Sequence, residues 1–179
     1  MVPELVSGEA FLRLFREFRH AAFRLEVRTS YGIPDEDEPY RRFLASEDPG
    51  LDWFVPWLDL MREETGTGKR VERVRVIDSP PSDYLRFELW GTPHNLAAGE
   101  DIRFLARDQA EAAGLPDYDY WLFDARIVAR LHFGEHDRFL GVVLSDDPED
   151  VLRHVQWGEA AWHHAATFED YHKEHAPSL

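Results

Sequence analysis

The densest run of apolar side chains lies at residues 119–133. Tyr120 to Phe123 leave no polar face, which is typical of a strand covered on both sides. From Ile127 to Phe133, side chains alternate with the period of two that a strand requires. The three residues between them, 124–126, suffice for a turn. The pattern therefore predicts a β-hairpin at the centre of a sheet.

Three segments show the spacing of three and four residues that places apolar side chains on one face of a helix. The first follows a capping residue, Ser7, and its apolar positions are Phe11, Phe15, Phe18 and Ala22. The second opens at Asp52, and its apolar positions are Trp53, Trp57, Leu60 and Met61. The third opens at Asp147 and Pro148, a cap and a first-turn proline, and its apolar positions are Val151, Val155, Gly158, Trp162 and Ala165.

Shorter patterns predict further strands. Residues 71–78 alternate, residues 102–105 and 138–144 are apolar, and residues 25–28 favour a short strand or an extended exit from the first helix. Tyr84 to Trp90 follows a helix start signal and is assigned as a helix, with a strand as the alternative. A compact turn is expected at residues 94–100. Together these elements predict an α/β fold: one domain over residues 1–179, with a mixed sheet of five or six strands flanked by three main helices.

Two segments are expected to lack packed structure. Residues 31–52 are rich in proline, glycine and acidic side chains, which favours a mobile loop. Residues 172–179 are polar enough to form a frayed tail.

Composition narrows the functional classes. Thirty-five acidic residues against twenty basic ones give a formal charge of −15, which repels phosphate backbones and disfavours direct nucleic-acid binding. A basic partner protein is compatible with this charge. The absence of cysteine excludes disulfides and thiolate metal sites and suits a cytoplasmic protein. No signal peptide or membrane span is expected, because the chain contains no apolar run of about 20 residues.

Arginines on the predicted sheet are the first candidate for a ligand site. Arg73 and Arg75 are two apart on one strand, and Arg103 lies on another, so three guanidinium groups on one face would bind a phosphate or carboxylate ligand. The alternative is that each arginine pairs with a carboxylate of the protein. The remaining candidates surround the expected turn after Pro93 and are Tyr84, Arg86, Glu88, Asn95 and Glu100.

Aromatic and histidine side chains have structural explanations as well as functional ones. Trp53, Phe54 and Trp57 either form an exposed patch for a partner protein or plug the sheet. His132 and His136 are four apart in a predicted strand and therefore about 13 Å apart, too far for one metal ion. No metal site, cofactor motif or catalytic triad is predicted.

Ordered segments of the chain resemble an uncharacterised family of small actinobacterial proteins. These segments are residues 25–28, 53–58, 71–76, 82–88, 95–103 and 119–124, together with Trp162. The resemblance covers nearly the whole chain. It implies a protein whose gene lies beside that of a helix-turn-helix regulator, as is often the case in this family. The order of strands and helices is also similar to phospholipase-D-like domains, whose catalytic members need a His-x-Lys triplet that is missing here.

These observations favour a non-enzymatic accessory protein that binds a partner, such as a helix-turn-helix regulator with a basic surface. The alternative is a domain that binds a small molecule or a phosphate ligand, or a hydrolase, on an arginine-lined sheet face.

Overall fold

A computed structural model describes residues 4–175 of the chain, and these residues form one mixed sheet with helices on both faces. In chain order, the elements are α1 (Gly8–Glu17), β1 (Ala21–Glu26), a 3₁₀ turn (Pro34–Glu36), α2 (Asp37–Leu44), α3 (Val55–Gly66), β2 (Arg70–Ile77), α4 (Asp83–Ala97), β3 (Glu100–Ala106), α5 (Arg107–Ala112), β4 (Tyr120–Phe123), β5 (Ile127–Phe133), a second 3₁₀ turn (Glu135–Asp137), β6 (Phe139–Ser145), α6 (Pro148–His164), β7 (Ala166–Thr167) and α7 (Phe168–His175). None of the helices in this part of the chain is both long enough and apolar enough to cross a membrane.

The sheet has seven strands in the order β6-β5-β4-β1-β2-β3-β7. The strands β1, β2 and β3 are parallel, and β4, β5 and β6 continue the sheet as antiparallel neighbours on the β1 side. β7 is antiparallel to β3. The expected α/β class and mixed sheet are confirmed. The expected number of strands is wrong, because the two-residue strand β7 is too short to show a period. The expectation of three main helices is also wrong, because the described residues form seven α-helices, of which α2, α5 and α7 have eight residues or fewer.

Each face of the sheet carries its own apolar core. The first face, which includes Val71 and Trp121, is covered by α1 and α3, while α4 packs on the same face around Ile102. The second face, which includes Val74 and Tyr120, is covered mainly by α6. β4 is buried on both faces, so the central hairpin predicted from the apolar pattern is confirmed.

The first helix is shorter than its apolar spacing indicates. α1 ends at Glu17, and Ala22 lies inside β1. The carboxylate of Asp124 accepts hydrogen bonds from the backbone amides of Arg19, His20 and Ala21, at 2.8, 2.7 and 3.1 Å. These bonds hold the chain in an extended conformation just after the helix. The prediction that Ala22 belongs to the helix is wrong for this reason.

The helix predicted at Tyr84 to Trp90 is confirmed and is longer than expected. Ser82 caps α4 by accepting a hydrogen bond from the Leu85 amide, at 3.1 Å. The helix continues through Pro93 to Ala97, so the compact turn expected at 94–100 is wrong. Burial of Asn95 and its bond to Glu100 hold the last turn against the sheet, which outweighs the local cost of the proline.

The segment 31–52 contains a packed helix, so its prediction as a loop is wrong. The rings of Tyr40 and Phe43 in α2 contact Phe87 of α4, with centroids 5.5 Å apart in each case. These contacts pack the aromatic side chains of α2 against α4, which the polar composition of the segment did not predict. In the expected tail, residues 172–175 belong to α7, and residues 176–179 lie outside the described part of the chain.

Candidate functional site

Four charged side chains stand next to one another on the first face of the sheet. The parallel register of β1 and β2 places Arg24 beside Arg73 and Glu26 beside Arg75. Because side chains alternate along a strand, all four point to the same face. Three of them are almost fully buried, with Glu26, Arg73 and Arg75 exposed by 2%, 7% and 4%. Charges at this depth need partners inside the protein.

Glu26 is the shared partner of the three arginines. Its carboxylate is 3.1 Å from the Arg24 Nε and 2.6 Å from the Arg75 Nε, and it accepts hydrogen bonds from the Nε and Nη2 of Arg73. Burial alone would raise the pKa of Glu26, but the three guanidinium groups hold that pKa well below its usual range. Glu26 is therefore ionised throughout the physiological pH range.

Glu100 and Asp119 complete the neutralisation of the arginines. Glu100 accepts hydrogen bonds from the Arg73 Nη1 at 3.1 Å, the Trp57 Nε1 at 3.0 Å and the Asn95 amide at 2.5 Å. Asp119 accepts bonds from the Arg24 Nη2 at 3.1 Å, the Val27 amide at 2.9 Å and the Tyr31 hydroxyl at 2.5 Å. Three cations, the buried Arg73 and Arg75 and the partly buried Arg24, thus face three buried carboxylates.

Two further carboxyl groups, Glu88 and Glu36, lie beside this balanced network. The Glu88 Oε1 is 3.4 Å from the Arg75 Nη2, whereas its Oε2 is buried and has no hydrogen-bond partner. Glu36 accepts a hydrogen bond from the Tyr84 hydroxyl. Burial raises the pKa of Glu88 to about 7, against the pull of Arg75, and burial likewise raises the pKa of Glu36. Both groups favour the protonated form more than an ordinary carboxyl does.

A cavity of about 290 Å³ lies over these carboxyl groups. Its floor is the charged patch of β1 and β2, and Glu36, Glu88 and Tyr84 line its polar side. Its apolar side consists of aromatic rings, which belong to Tyr31, Trp53, Phe54, Trp57 and Phe87. A concave site with apolar walls and a few convergent polar groups is typical of small-molecule binding.

Most of the ligand-binding residues predicted from the sequence meet at this cavity. It is lined by Arg73, Arg75, Tyr84, Glu88 and Asn95, and Glu100 joins them through its bonds to Arg73 and Asn95. Arg86 does not take part, because it lies on the exposed side of α4 and pairs with Asp83 at 3.2 Å.

The expectation that three arginines share a face is wrong for Arg103. The register of β2 and β3 places Arg73 beside Ile102, so Arg103 falls beside Val74 on the second face. There its guanidinium lies 3.8 Å from the centre of the Trp162 ring and 3.5 Å from Asp101. The spacing of residues within each strand did not reveal this register.

Pairing within the protein occupies the two arginines that do reach the cavity. Arg73 directs all its bonds to Glu26 and Glu100. Arg75 contacts Glu26, the backbone oxygen of Glu88 and the Thr92 hydroxyl. The alternative prediction, that each arginine pairs with a carboxylate of the protein, therefore holds for Arg73 and Arg75, and these carboxylates balance their charge.

Trp53, Phe54 and Trp57, predicted either as a partner patch or as a plug, form a half-buried wall of the cavity. Trp53 is stacked between Phe54 and Phe87, with ring centroids 4.8 and 5.5 Å apart. The Trp57 ring packs on Phe15 at 5.2 Å. These rings pack against the core on one side and line the cavity on the other.

Sequence reasoning missed several residues that build the site, namely Arg24, Glu26, Tyr31, Glu36 and Asp119. Arg24 and Glu26 carried a usable signal, since they are two apart in a short apolar strand and so share a face. Glu36 carried none, because it lies in the segment interpreted as a loop. Among residues 4–175, no three His, Asp or Glu side chains are grouped so as to hold a metal ion.

Replacing Glu88 with Gln is expected to change how stability depends on pH. Between pH 4.5 and 7, the folded protein keeps a proton on Glu88 that the unfolded chain releases, so this group lowers stability as pH rises through that window. Glu88→Gln removes the effect. We therefore expect the free energy of unfolding of the variant, relative to the wild type, to rise by on the order of 2–3 kcal/mol between pH 4.5 and pH 8.

Urea unfolding at a series of pH values measures this difference. Glu169→Gln on the exposed surface of α7 is the control, and its difference from the wild type should stay nearly constant with pH. A constant difference for Glu88→Gln as well would contradict the raised pKa.

Comparison with known structures agrees with the fold described above. The chain is similar to a crystal structure of a phospholipase D family member, Nuc from Salmonella typhimurium, with 12% identity over 89% of this chain and 91% of that chain, and a TM-score of 0.55. No curated protein shows significant sequence similarity. Residues 9–173 match the family described as Domain of unknown function (DUF6879), and the chain belongs to that family.

Proposed function

We propose that this protein is a non-enzymatic domain that binds a small molecule in the cavity between the charged sheet face and α4. The observation that carries this proposal is the cavity of about 290 Å³, into which aromatic rings and two carboxyl groups in excess of the three arginines, Glu36 and Glu88, converge. Its volume is near the lower end of the range for ligand sites, so the ligand is compact.

Loss of hydrolytic chemistry supports a binding role. The fold is similar to that of a phospholipase D family member, but the chain has only two lysines, Lys69 and Lys173, and neither follows a histidine at the spacing His-x-Lys. The residues that line the cavity include no serine, cysteine or histidine, so the nucleophile–base pairs that those side chains form are missing from it. The carboxyl and tyrosine hydroxyl groups of the cavity can bind a ligand through hydrogen bonds.

Partner binding and location remain predictions from the sequence. The formal charge of −15 is compatible with a basic partner protein such as a helix-turn-helix regulator, and the absence of cysteine suits the cytoplasm. The aromatic residues first assigned to a partner line the cavity, so partner binding would need a different surface. Ligand binding is therefore the function that the site supports best.

Filling the cavity is expected to abolish ligand binding. Gly91 lines the cavity on α4, and a Cβ at this position would contact the Phe54 ring at 3.5 Å, an ordinary distance. Gly91→Ala should therefore preserve the site, whereas Gly91→Leu places a larger side chain in it. Protein labelled with 5-fluorotryptophan reports binding by ¹⁹F NMR, with a mixed library of cationic, neutral and anionic fragments as the probe.

We expect bound fragments to shift the resonances of Trp53 and Trp57, which line the cavity, and to leave those of Trp157 and Trp162 on α6 unchanged. Gly91→Leu should lose these shifts, and Gly91→Ala should retain them. The proposal is wrong if no fragment shifts Trp53 or Trp57, or if a folded Gly91→Leu protein responds as the wild type does.

A further inference from the structure

The charges around the cavity do not sum to zero. Arg24, Arg73 and Arg75 are matched by Glu26, Glu100 and Asp119, as described above. Glu88 and Glu36 are additional, as is Asp35, and all three line the cavity. A bound cation would supply the countercharge that the three arginines do not provide for these groups.

Two buried atoms of residues that line the cavity have no hydrogen-bond partner, the Arg24 Nε and the Glu88 Oε2, and only the Arg24 Nε has an opposite charge as close as 3.1 Å, on Glu26. The Glu88 Oε2 is removed from solvent and accepts no hydrogen bond, although the whole side chain remains 12% exposed where it meets the cavity. A buried acceptor without a donor is costly, and native proteins contain few. The nearest guanidinium, that of Arg75, is already bonded to Glu26 and Thr92. A donor from a ligand would satisfy this oxygen.

The opposite wall of the cavity suits the same class of ligand. Trp53, Phe54 and Phe87 form a stack of aromatic rings that borders the cavity. Because Phe54 and Phe87 cover the two faces of Trp53, this stack offers a ligand apolar contact rather than a cation–π site. A ligand with a cationic head and an apolar body would use both walls at once.

An anionic ligand would meet the opposite situation. Arg73 directs three of its five N–H groups to Glu26 and Glu100, and these two carboxylates already balance its charge. Such a ligand would also lie against Glu88 and Glu36. The cavity therefore selects against the phosphate ligands that its arginines suggested in the sequence.

We propose that the ligand is a small organic cation, a protonated amine or amidine on an aromatic or apolar body, whose N–H groups bond to Glu88 and Glu36. This inference rests on the proposed function of the cavity. The cationic group replaces the missing donor at the Glu88 Oε2, and the ligand body packs against Trp53 and Phe54.

Binding of such a cation should weaken at low pH. Glu88 has a pKa raised to about 7 by burial, so acidification protonates it and removes the charge that the ligand needs. The charged and titratable groups that line the cavity with Glu88 are Arg24 and Glu26 on β1, Arg73 and Arg75 on β2, Asp35 and Glu36 in the 3₁₀ turn, and Tyr31 and Tyr84. Burial also raises the pKa of Glu36, which reinforces the trend, while both tyrosine pKa values are raised and these groups stay neutral.

Three probes of nearly equal shape test the sign of the ligand charge: benzamidine as the cation, benzamide as the neutral form and benzoate as the anion. Affinities are measured by titration of the full chain at pH 8 and pH 5.5. We expect benzamidine to bind roughly tenfold to a hundredfold more tightly than benzamide at pH 8, because a hydrogen bond to a charged group is involved. Benzoate should bind more weakly than benzamide.

Variants locate the contact. Glu88→Gln should reduce the preference for benzamidine over benzamide to about threefold or less, and Glu36→Gln should reduce it in part. Glu169→Gln removes the same unit of charge far from the cavity and should leave the preference unchanged. If Glu88→Gln fails to fold, Glu36→Gln and the loss of benzamidine affinity between pH 8 and pH 5.5 still decide the question.

Equal binding of the three probes, or a preference for benzoate, would overturn the cationic ligand. The same holds if only neutral or anionic library fragments shift Trp53 and Trp57, and in that case the proposed binding function survives. If no library fragment shifts the resonances of Trp53 or Trp57 and none of the three probes binds, both the proposed function and this inference are wrong.

Discussion

Replacing Glu26 with Gln is expected to destabilise the protein by about 3–5 kcal/mol. The side chain is 2% exposed and bonds to Arg73 and Arg75, and its carboxylate lies 3.1 Å from Arg24. The amide keeps the shape but removes the charge, so the three guanidinium groups would keep Glu100 and Asp119 as close partners, with Glu88 at 3.4 Å from Arg75. Denaturant unfolding at pH 8 measures the loss, and we expect the melting temperature to fall by roughly 10 °C.

Glu88→Gln is the matched control for this variant. It removes a carboxylate from the same arginine, Arg75, but from a group that the ion-pair network does not need. Its stability at pH 8 should equal or exceed that of the wild type. Equal losses for the two variants would show that Glu26 is not the centre of the network.

Replacing Trp121 with Ala is expected to cost about 3–5 kcal/mol, because a buried aromatic side chain leaves a large void. Trp121 is 1% exposed, and its ring lies 4.8 Å from that of Phe15 and 5.9 Å from that of Phe123. Arg24 also packs over the ring, at 5.6 Å. Removal of the Trp121 ring therefore disrupts packing both in the core under α1 and at the floor of the cavity.

Urea unfolding of Trp121→Ala measures this cost. Leu152→Ala on α6 is the comparison, because that side chain is 57% exposed and its loss should change stability by less than about 0.5 kcal/mol. A loss below about 1 kcal/mol for Trp121→Ala would mean that the hairpin is not the centre of the core.

Apolar periodicity predicted the elements that bury one whole face or both. The hairpin at 120–133, the strand at 71–77 and the helix opened by Asp147 follow directly from the spacing of their side chains. Periodicity failed where contacts distant in sequence decide the structure. The helix α2 forms in a polar segment because Tyr40 and Phe43 reach α4, and α1 stops early because Asp124 binds the amides that follow it.

The candidate site was only partly predictable for a related reason. A single strand shows which of its residues share a face, and this brought Arg73 and Arg75 together correctly. The relation between strands depends on register, which the sequence does not display, and this misplaced Arg103. The sequence offered pairing with a carboxylate of the protein as the alternative, but it did not identify Glu26 as the shared partner, because that depends on the register of β1 and β2.

The buried ion pairs join parts of the chain that are far apart in sequence. Arg24 and Asp119 are separated by 95 positions, and Glu26 and Arg73 by 47. A partly assembled sheet would bury guanidinium groups before their countercharges arrived, which is unfavourable. Intermediates that contain only β1 and β2 should therefore be poorly populated. We expect the domain to fold and unfold as one cooperative unit, and a fragment that lacks β4 to remain unfolded.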